Sequence, residues 1–425
     1  MVATGSTDLR SRHLYFSRMT DCGTEAVAAA FRSMGIAATV LAPPDARTLE
    51  LGNRHLTGDE CLPAKITLGD YLKVAEAPGF DPARTAFMMP TTEGPCRFGQ
   101  YSPSIRKVFR ELGCSDVLFL SPTSGDGYQE MGDCGRDLFR TAWRAAVASD
   151  ILRKLLLKTR PYERIQGDAD HAYALSLREL CTALENRPRP PQAHLAVLAA
   201  TLVGIRDRFR ALPARYERGR LLIGIQGEIF CRLEEFSNDR LIRRLEACGA
   251  EAWQSELSEW VWYCNVDQEM TLRHAGEGVS LAMLAAKVRD HVQRADEAAL
   301  CAPFVADFRG YEEPDVRDVL RAGACFLPQH GAGGEMVLSA GKVDCFFRQG
   351  VDGIIDVSPF SCMNGIVSEA LYPRQTAEHA GLPVKNFYVD GTSRDLTADL
   401  EIFLELTRAY QRIKPYPRRY PRWFD

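Results

Sequence analysis

The sequence predicts an α/β protein made of two Rossmann-like parallel-sheet units that are joined by a helical connector. Short apolar runs alternate with helical patterns over residues 13–120, and the alternation returns over residues 221–413. Between these two stretches the strand signal disappears and helical periodicity dominates. Alternating strands and helices are typical of a parallel sheet that helices cover on both faces. The predicted divisions are a first α/β unit at residues 1–135, a connector at 136–215, a second α/β unit at 216–413 and a tail at 414–425.

Apolar runs and amphipathic stretches predict the elements of the first unit in the order strand, helix, strand. One helix shows its buried face clearly, since Val27, Ala30, Phe31 and Met34 recur at helical spacing. The predicted strands are residues 13–16, 37–41, 85–89 and 116–120. The predicted helices are residues 24–34, 63–74 and 104–112.

The second unit repeats this alternation. The predicted strands are residues 221–225, 250–253, 353–357 and 384–388. The predicted helices are residues 239–248, 365–371 and 397–413. Ser237 or Asn238 is expected to cap the first of these helices, because both side chains accept hydrogen bonds from free helical N–H groups.

The tail, residues 414–425, alternates proline with tyrosine, arginine and tryptophan. Its prolines exclude a regular helix, so we expect an extended segment packed on its own domain. A grip on a partner or on nucleic acid is the alternative for its mixture of arginine and aromatic residues.

Composition excludes several classes of protein. The chain has 425 residues, which at about 150 residues per domain corresponds to roughly two or three domains. Its net charge of −4 argues against binding of nucleic acid. The N-terminus has no apolar signal segment, and the longest apolar run, residues 195–205, is shorter than the roughly 20 residues that span a bilayer. The sequence therefore predicts a cytoplasmic protein without a membrane partner.

The chain has 13 cysteines and no CxxC pair. An odd count without a secretory signal argues against a disulfide framework. The absence of CxxC pairs argues against zinc ribbons, thioredoxin-like redox sites and the clustered ferredoxin pattern. Any metal site must therefore be assembled from distant segments.

Three cysteines, Cys61, Cys96 and Cys362, lie in segments rich in glycine or proline, at places where a predicted element begins or ends. Cys96 and Cys362 follow predicted strands, and ligands bind parallel sheets at the carboxyl ends of the strands. Cys61 precedes an amphipathic stretch, and a helix N-terminus favours thiolate. We expect the three to converge in the cleft between the two units, although small apolar filler remains the alternative for each.

The other cysteines fall mostly inside helical or strand patterns and are predicted to be apolar filler. These are Cys114, Cys181, Cys231, Cys248, Cys264, Cys301, Cys325 and Cys345. Cys134, between Asp133 and Gly135, is an intermediate case.

Four segments carry a family resemblance: GDECLPAK from residue 58, MPTTEGPCRFGQY from residue 89, GEI with FSND over residues 227–239, and VDGIIDVSPFSCM from residue 351. In this order they resemble the 2-hydroxyacyl-CoA dehydratase and benzoyl-CoA reductase superfamily. More closely, they are similar to its branch related to the C-terminal part of large acyl-CoA dehydratase activases. The likeness spans nearly the whole chain, and the GPCRFGQY and PFSCM segments are its most specific parts.

The resemblance implies a [4Fe–4S] or related larger iron–sulfur cluster in the cleft, bound by Cys61, Cys96 and Cys362. Three thiolates would leave one iron open, and the protein would be oxygen-sensitive. A separate activase ATPase of the actin/hexokinase fold would supply a low-potential electron, which accords with the absence of a Walker A motif here. A homo-oligomer or a hetero-oligomer with a related subunit is also implied.

Cys22 departs from the family pattern, since relatives often carry histidine or another polar residue at the end of the first strand. It either supplies a fourth ligand or lies beside the cluster. Ala64 stands where relatives can carry a second cysteine.

Polar residues near the cysteines are further candidates. Glu60, Arg97 and Gln100 would orient the ligands or meet substrate, or else be solvated loop residues. Glu228 would act as an acid or base, or cap the next element at the surface. The glycine-rich segments at residues 331–334 and 124–127 are interpreted as flexible turns.

The functional hypothesis is an iron–sulfur component of an ATP-coupled low-potential reductase or a 2-hydroxyacyl-CoA dehydratase-like system. A non-catalytic cluster-binding subunit, or a zinc-binding scaffold that uses the same thiols, is the alternative. The substrate, the use of a CoA thioester and the nuclearity of the cluster remain open.

Overall fold

The structure is a computed structural model that describes residues 9–56, 58–92, 94–122, 135–188, 190–392 and 396–424. Within these residues the chain forms two four-stranded sheets, each entirely parallel, amid many helices. The prediction of an α/β protein with two Rossmann-like units is confirmed.

The first sheet has the strand order β2-β1-β3-β4. Its strands are β1 (His13–Phe16), β2 (Ala38–Val40), β3 (Thr85–Met88) and β4 (Leu118–Leu120). The helices of this part are α1 (Asp21–Arg32), α2 (Ala46–His55), α3 (Leu62–Ala75) and α4 (Tyr101–Glu111). All four residues of β3 are buried, as expected for an inner strand that helices cover on both faces.

The second sheet has the order β6-β5-β7-β8, so its first to fourth strands lie in the same order as those of the first sheet. Its strands are β5 (Leu221–Gly227), β6 (Ala250–Gln254), β7 (Gly353–Pro359) and β8 (Val384–Val389). In both sheets the first and third strands are neighbours in the centre. In such doubly wound sheets the crevice between these two strands, at their carboxyl ends, is the usual binding position.

Helices connect and cover the two sheets. Those between the sheets are α5 (Gly135–Thr159), α6 (Asp168–Glu185) and α7 (Pro191–Arg210). Those of the second part are α8 (Ile229–Leu233), α9 (Leu241–Ala247), α10 (Leu257–His274), α11 (Leu281–Cys301), α12 (Val316–Gly323), α13 (Glu335–Gln349), α14 (Met363–Glu378) and α15 (Thr397–Gln411). Helix α5 contacts both α1 and β6, so it links the two units. Across the described residues, no helix combines the length and the apolar character that a membrane crossing requires.

An apolar seam joins the two units directly. Leu62 and Ile66 of α3 pack with Phe230 of α8, and Leu49 and Val389 surround them. Helix α3 packs very closely against α2 at Gly69, where a Cβ would lie only 1.8 Å from the Thr48 carbonyl oxygen. Only glycine permits this approach. The start of α3 is therefore fixed relative to both units.

The helix predicted to begin after Ser237 and Asn238 begins later, at Leu241. Asp239 and Arg240 both have left-handed backbone angles, with φ values of 51° and 54°, and so interrupt the helical path. The predicted cap is partly present, since the Asn238 Oδ1 accepts a hydrogen bond from the Leu241 N–H at 3.2 Å.

The C-terminal tail packs on the chain itself, as predicted. Arg418 is buried and donates to the Glu251 carboxylate and to Tyr311, while the ring of Phe424 packs edge-on against Tyr162. The Tyr162 hydroxyl donates to the same carboxylate at 2.5 Å. Glu251 is fully buried, so the tail supplies the cation that offsets its charge.

Replacing Arg418 by alanine should destabilise the fold by about 3–5 kcal/mol, because it leaves a buried carboxylate without its cation. The neighbouring variant Arg419→Ala removes only an exposed pair with Glu312 and should cost about 0–1 kcal/mol. Urea unfolding monitored by circular dichroism measures both. Equal effects of the two variants would contradict the proposed contribution of the tail.

Candidate metal centre

Each of the three candidate cysteines is the N-cap residue of a helix. Cys61 precedes α3, Cys96 precedes a short 3₁₀ helix that leads into α4, and Cys362 precedes α14. All three have extended backbone angles, with φ between −60° and −70°. Three helix N-termini therefore present free N–H groups beside thiols, an arrangement that favours thiolate or bound sulfide.

The positions of Cys96 and Cys362 follow from the repeated sheet topology. Cys96 follows β3 and Cys362 follows β7, in each case the third strand of its sheet and a neighbour of the first strand. Cys61 comes instead from the connection between α2 and α3. The three segments come from both units of the molecule.

The three thiols influence one another electrostatically. Burial raises the pKa of Cys96 to about 11, and burial also raises the pKa values of Cys61 and Cys362. The charge of Cys61 contributes to the raised pKa of both other thiols. Cys96 and Cys362 each therefore lie close enough to Cys61 to be affected by its charge, and the N–H groups of Phe98 and Gly365 favour the thiolates of Cys96 and Cys362.

Two glutamates lie in the same neighbourhood. Glu228 caps α8 and accepts hydrogen bonds from the N–H groups of Phe230 at 3.1 Å and Cys231 at 2.8 Å. Glu335 is buried and accepts from the Ile229 N–H at 2.6 Å. Burial raises the pKa of both carboxyls, and the charge of Glu228 raises that of Glu335 further. The capping interpretation of Glu228 is confirmed, but the residue is half-buried rather than at the surface.

Arg97 connects the segments that carry the three cysteines. Its guanidinium donates to the Asp59 carbonyl, two residues before Cys61, and to the Ser361 carbonyl at 2.6 Å, one residue before Cys362. It also donates to the Ser361 hydroxyl at 3.1 Å. Because Arg97 is adjacent to Cys96, one side chain holds all three segments together.

Ser361 has a left-handed backbone conformation, with a φ of 63°. Such a conformation is uncommon for a residue other than glycine and costs on the order of 1 kcal/mol or more. The Ser361 carbonyl oxygen accepts a hydrogen bond from the Arg97 guanidinium, and this hydrogen bond offsets part of the conformational cost. The turn directs the chain into the N-cap position of Cys362.

Sequence reasoning named neither Tyr101 nor Glu335 as a site residue. Tyr101 is 9% exposed, and its hydroxyl lowers the pKa of the Cys61 thiol by a hydrogen bond. Tyr101 lies within the GPCRFGQY segment and could have been found there. Glu335 carried no comparable signal, because only the packing of α13 against the second sheet brings it to the cysteines.

Cys22 lies in a different environment. It is 3% exposed, belongs to the helical core around α1 and α5, and its thiol donates to the Ser149 carbonyl at 3.5 Å. Burial, together with the charge of Asp21, raises its pKa to about 12. The structure therefore places Cys22 as a buried core residue in the first turn of α1.

Glu60 and Gln100 are exposed. The Glu60 carboxylate accepts from the Gly58 N–H at 2.8 Å and so orders the turn before Cys61. Gln100 is the N-cap of α4 without a capping hydrogen bond from its side chain. Both fit the interpretation as solvated loop residues more closely than a direct contact with the thiols.

The glycine segment at residues 331–334 forms a turn that leads into α13, and Gly334 donates to the Tyr263 hydroxyl at 3.0 Å. Gly333 approaches Pro95, beside Cys96. The segment at residues 124–127 and Cys134 lie outside the described residues.

Among the predicted filler cysteines Cys231 is buried, whereas Cys325 is exposed, so the filler interpretation is wrong for Cys325.

Asp70 fixes α3, and with it Cys61, against the first sheet and α2. Its carboxyl accepts from the Ser17 hydroxyl at 2.7 Å and from the Thr48 hydroxyl at 3.2 Å. The side chain is almost fully buried, and burial raises its pKa to about 6. Ionisation of Asp70 near neutral pH therefore opposes folding.

No group of three or more histidine, cysteine, aspartate or glutamate side chains within the described ranges is arranged to hold a single metal ion. A single zinc ion needs sulfur ligands about 2.3 Å from one point. A cluster places its thiolates on separate irons and needs a wider arrangement.

The residues present fit such a cluster in chemical type. The three thiols at helix N-termini would supply the ligands, the N–H groups beside them could donate to sulfide, and the neighbouring carboxyls add acidic groups. Arg97 lies beside them as a cation. A cationic metal core would offset the charge of this acidic group once its protons are lost.

No protein-family model matches this chain, and no curated protein matches it. The family resemblance of the four sequence segments stays a prediction.

Replacing Asp70 by asparagine should make the free energy of unfolding less dependent on pH. The folded state binds the Asp70 proton more tightly than the unfolded chain does, so this stabilising contribution is present below pH 4 and is lost as the pH rises through about 6. At about 1.4 kcal/mol per pKa unit, the variant should gain on the order of 2–3 kcal/mol relative to the natural protein between pH 4 and pH 8. Urea unfolding at several pH values measures the gain. The exposed variant Asp116→Asn is the control. A difference in the free energy of unfolding between Asp70→Asn and the natural protein that stays constant with pH would contradict the raised pKa of Asp70.

Replacing Arg97 by alanine should loosen the segments before Cys61 and Cys362, because each loses a charged hydrogen bond worth about 2 kcal/mol. Amide hydrogen exchange over residues 58–62 and 360–364 should accelerate on the order of thirtyfold. Arg97→Lys, which keeps the charge but not the planar fork, should give an intermediate acceleration. Arg110→Ala, an exposed change on α4, should leave both segments unchanged. Unaltered exchange in Arg97→Ala would contradict the linking role.

Proposed function

We propose that this chain is the iron–sulfur component of an ATP-coupled low-potential reductase or 2-hydroxyacyl-CoA dehydratase-like system, and that it receives electrons from a separate activase ATPase of the actin/hexokinase fold. The observation that carries the proposal is the shared neighbourhood of Cys61, Cys96 and Cys362, each at the N-terminus of a helix. The sequence resemblance supports the same assignment.

When bound through three thiolates, a [4Fe–4S] cluster supplies low-potential electrons and one iron that no cysteine ligates. The chain's own residues would prepare this site. Arg97 links the three cysteine segments by its hydrogen bonds, and the Tyr101 hydroxyl donates to the Cys61 sulfur. The Glu335 carboxyl, whose pKa burial raises, keeps a proton close to the thiols.

The rim of the site supports contact with an electron-donating partner. Phe360 and Ile366, on either side of Cys362, are 68% and 53% exposed. Cys96 is half-buried, and Gly94 and Pro95 before it are exposed. Exposed apolar side chains beside a buried redox group suit the docking of a partner protein.

Protein that is produced or reconstituted without oxygen should contain about four irons and four acid-labile sulfides per chain. Cys61→Ser, Cys96→Ser and Cys362→Ser should each lose most of this content, since each removes one of only three ligands. Iron and sulfide analysis of the purified proteins measures the loss.

Two matched cysteine variants control the experiment. Cys22→Ser changes a core thiol and Cys325→Ser an exposed one, and both should keep their iron. Iron content that survives the three ligand substitutions would overturn the proposal. Bound zinc without sulfide would show instead the scaffold that binds zinc through the same thiols.

The alternative is a non-catalytic cluster-binding subunit of a larger complex. The burial of Cys61 and Cys362, which are 7% and 6% exposed, favours electron transfer without direct access of substrate. Electron paramagnetic resonance of the reduced protein with an added acyl-CoA separates the two functions. A perturbed spectrum supports an open iron, and an unchanged spectrum supports the carrier.

A further inference from the structure

One cavity of the molecule lies in the helical part, away from the cysteine site. It has a volume of about 370 Å³, which falls in the size range of small-molecule sites. Residues of α5, α10, α11 and the segment 304–316 line it. None of the four candidate ligand cysteines is among the lining residues.

The walls of this cavity combine aromatic rings with acidic groups. Its aromatic lining residues are Trp262, Phe304, Phe308 and Tyr311. Six carboxylate side chains and two basic ones, Lys154 and Arg294, also line it. The lining therefore has an excess of acid.

Both basic side chains are already paired. The Lys154 Nζ lies 2.5 Å from Glu256 and 3.2 Å from Glu313, and Arg294 lies within 3.0 Å of both Asp290 and Asp315. Each also lies over an aromatic ring, Arg294 at 4.6 Å from the centre of Trp262 and Lys154 at 5.2 Å from that of Phe308. The cavity thus already holds cations against its rings.

Glu297 is a lining carboxylate that takes no part in these ion pairs. Its Oε1 accepts from the indole N–H of Trp262 at 3.1 Å, and no basic side chain of the described residues lies within salt-bridge distance of it. Burial and the charge of Glu256 raise its pKa to about 7, although the Trp262 N–H and the charge of Arg294 act in the opposite direction. A cation that enters the cavity would supply the missing partner.

We propose that this cavity binds a small organic cation, an alkylammonium compound whose charge pairs with Glu297 and whose apolar part packs against Phe304 and Phe308. An anion is disfavoured, because the acidic side chains outnumber the basic ones three to one. The proposal is independent of the cysteine site and of the function proposed there.

Calorimetric titration of the full chain tests the proposal with choline and n-butylammonium as probes. At least one of them should bind with a dissociation constant below about 1 mM. The neutral analogue of choline, 3,3-dimethylbutan-1-ol, has the same shape without the charge and should bind at least tenfold more weakly. This comparison needs no substitution in the protein.

Glu297→Gln keeps an acceptor for Trp262 but removes the charge, so it should weaken the cation at least tenfold. Glu277→Gln, an exposed change outside the cavity, is the matched control and should bind as the natural protein does. Circular dichroism verifies that each variant folds. Absence of binding by both cations, equal affinity for the neutral analogue, or full affinity in Glu297→Gln would overturn the proposal.

Discussion

The Arg97 guanidinium provides the constraint on which the candidate centre depends. It binds two backbone carbonyls that precede Cys61 and Cys362, and it is itself adjacent to Cys96. These segments belong to different units, so the cysteines meet only if the units keep their relative position. The apolar seam of Leu62 with Phe230 and the long helix α5 supply that rigidity.

The chemistry of the site follows from burying acids together. Three thiols and the carboxyls of Glu228 and Glu335 share one neighbourhood, and burial raises the pKa of each. Such a group holds its protons until a cation replaces them. The helix N-termini reduce the cost of that exchange, because their N–H groups stabilise thiolates at no further expense of ordering.

The second unit carries more than its half of the centre. Helices α10 to α13 lie between β6 and β7 and pack with α1, α5, α6 and α7 in one helical core, and α5, α10, α11 and the segment 304–316 line the acidic cavity. The free-energy cost of burying charged side chains there is offset by close ion pairs, such as that of Lys342 with Glu259 at 2.6 Å. The molecule thus separates a thiol-rich site at the strand ends from an aromatic, acidic cavity in its helical layer.

The sequence alone was enough to locate the eight strands to within a few residues, because their apolar runs are short and bounded by turn residues. It also singled out Cys61, Cys96 and Cys362, since glycine and proline beside a cysteine mark an exposed turn. It misplaced the start of α9, because the left-handed conformations of Asp239 and Arg240 depend on packing rather than on residue type.

Distances between remote segments were decided only by the tertiary structure. The pattern around Cys22 left a fourth-ligand position and a position beside the cluster equally open, whereas the packing of α1 against α5 places this residue in the helical core. Glu335 showed no pattern at all, because its role arises from the packing of α13. Local sequence determines where a chain turns and which face it buries, whereas which turns meet depends on how the units pack.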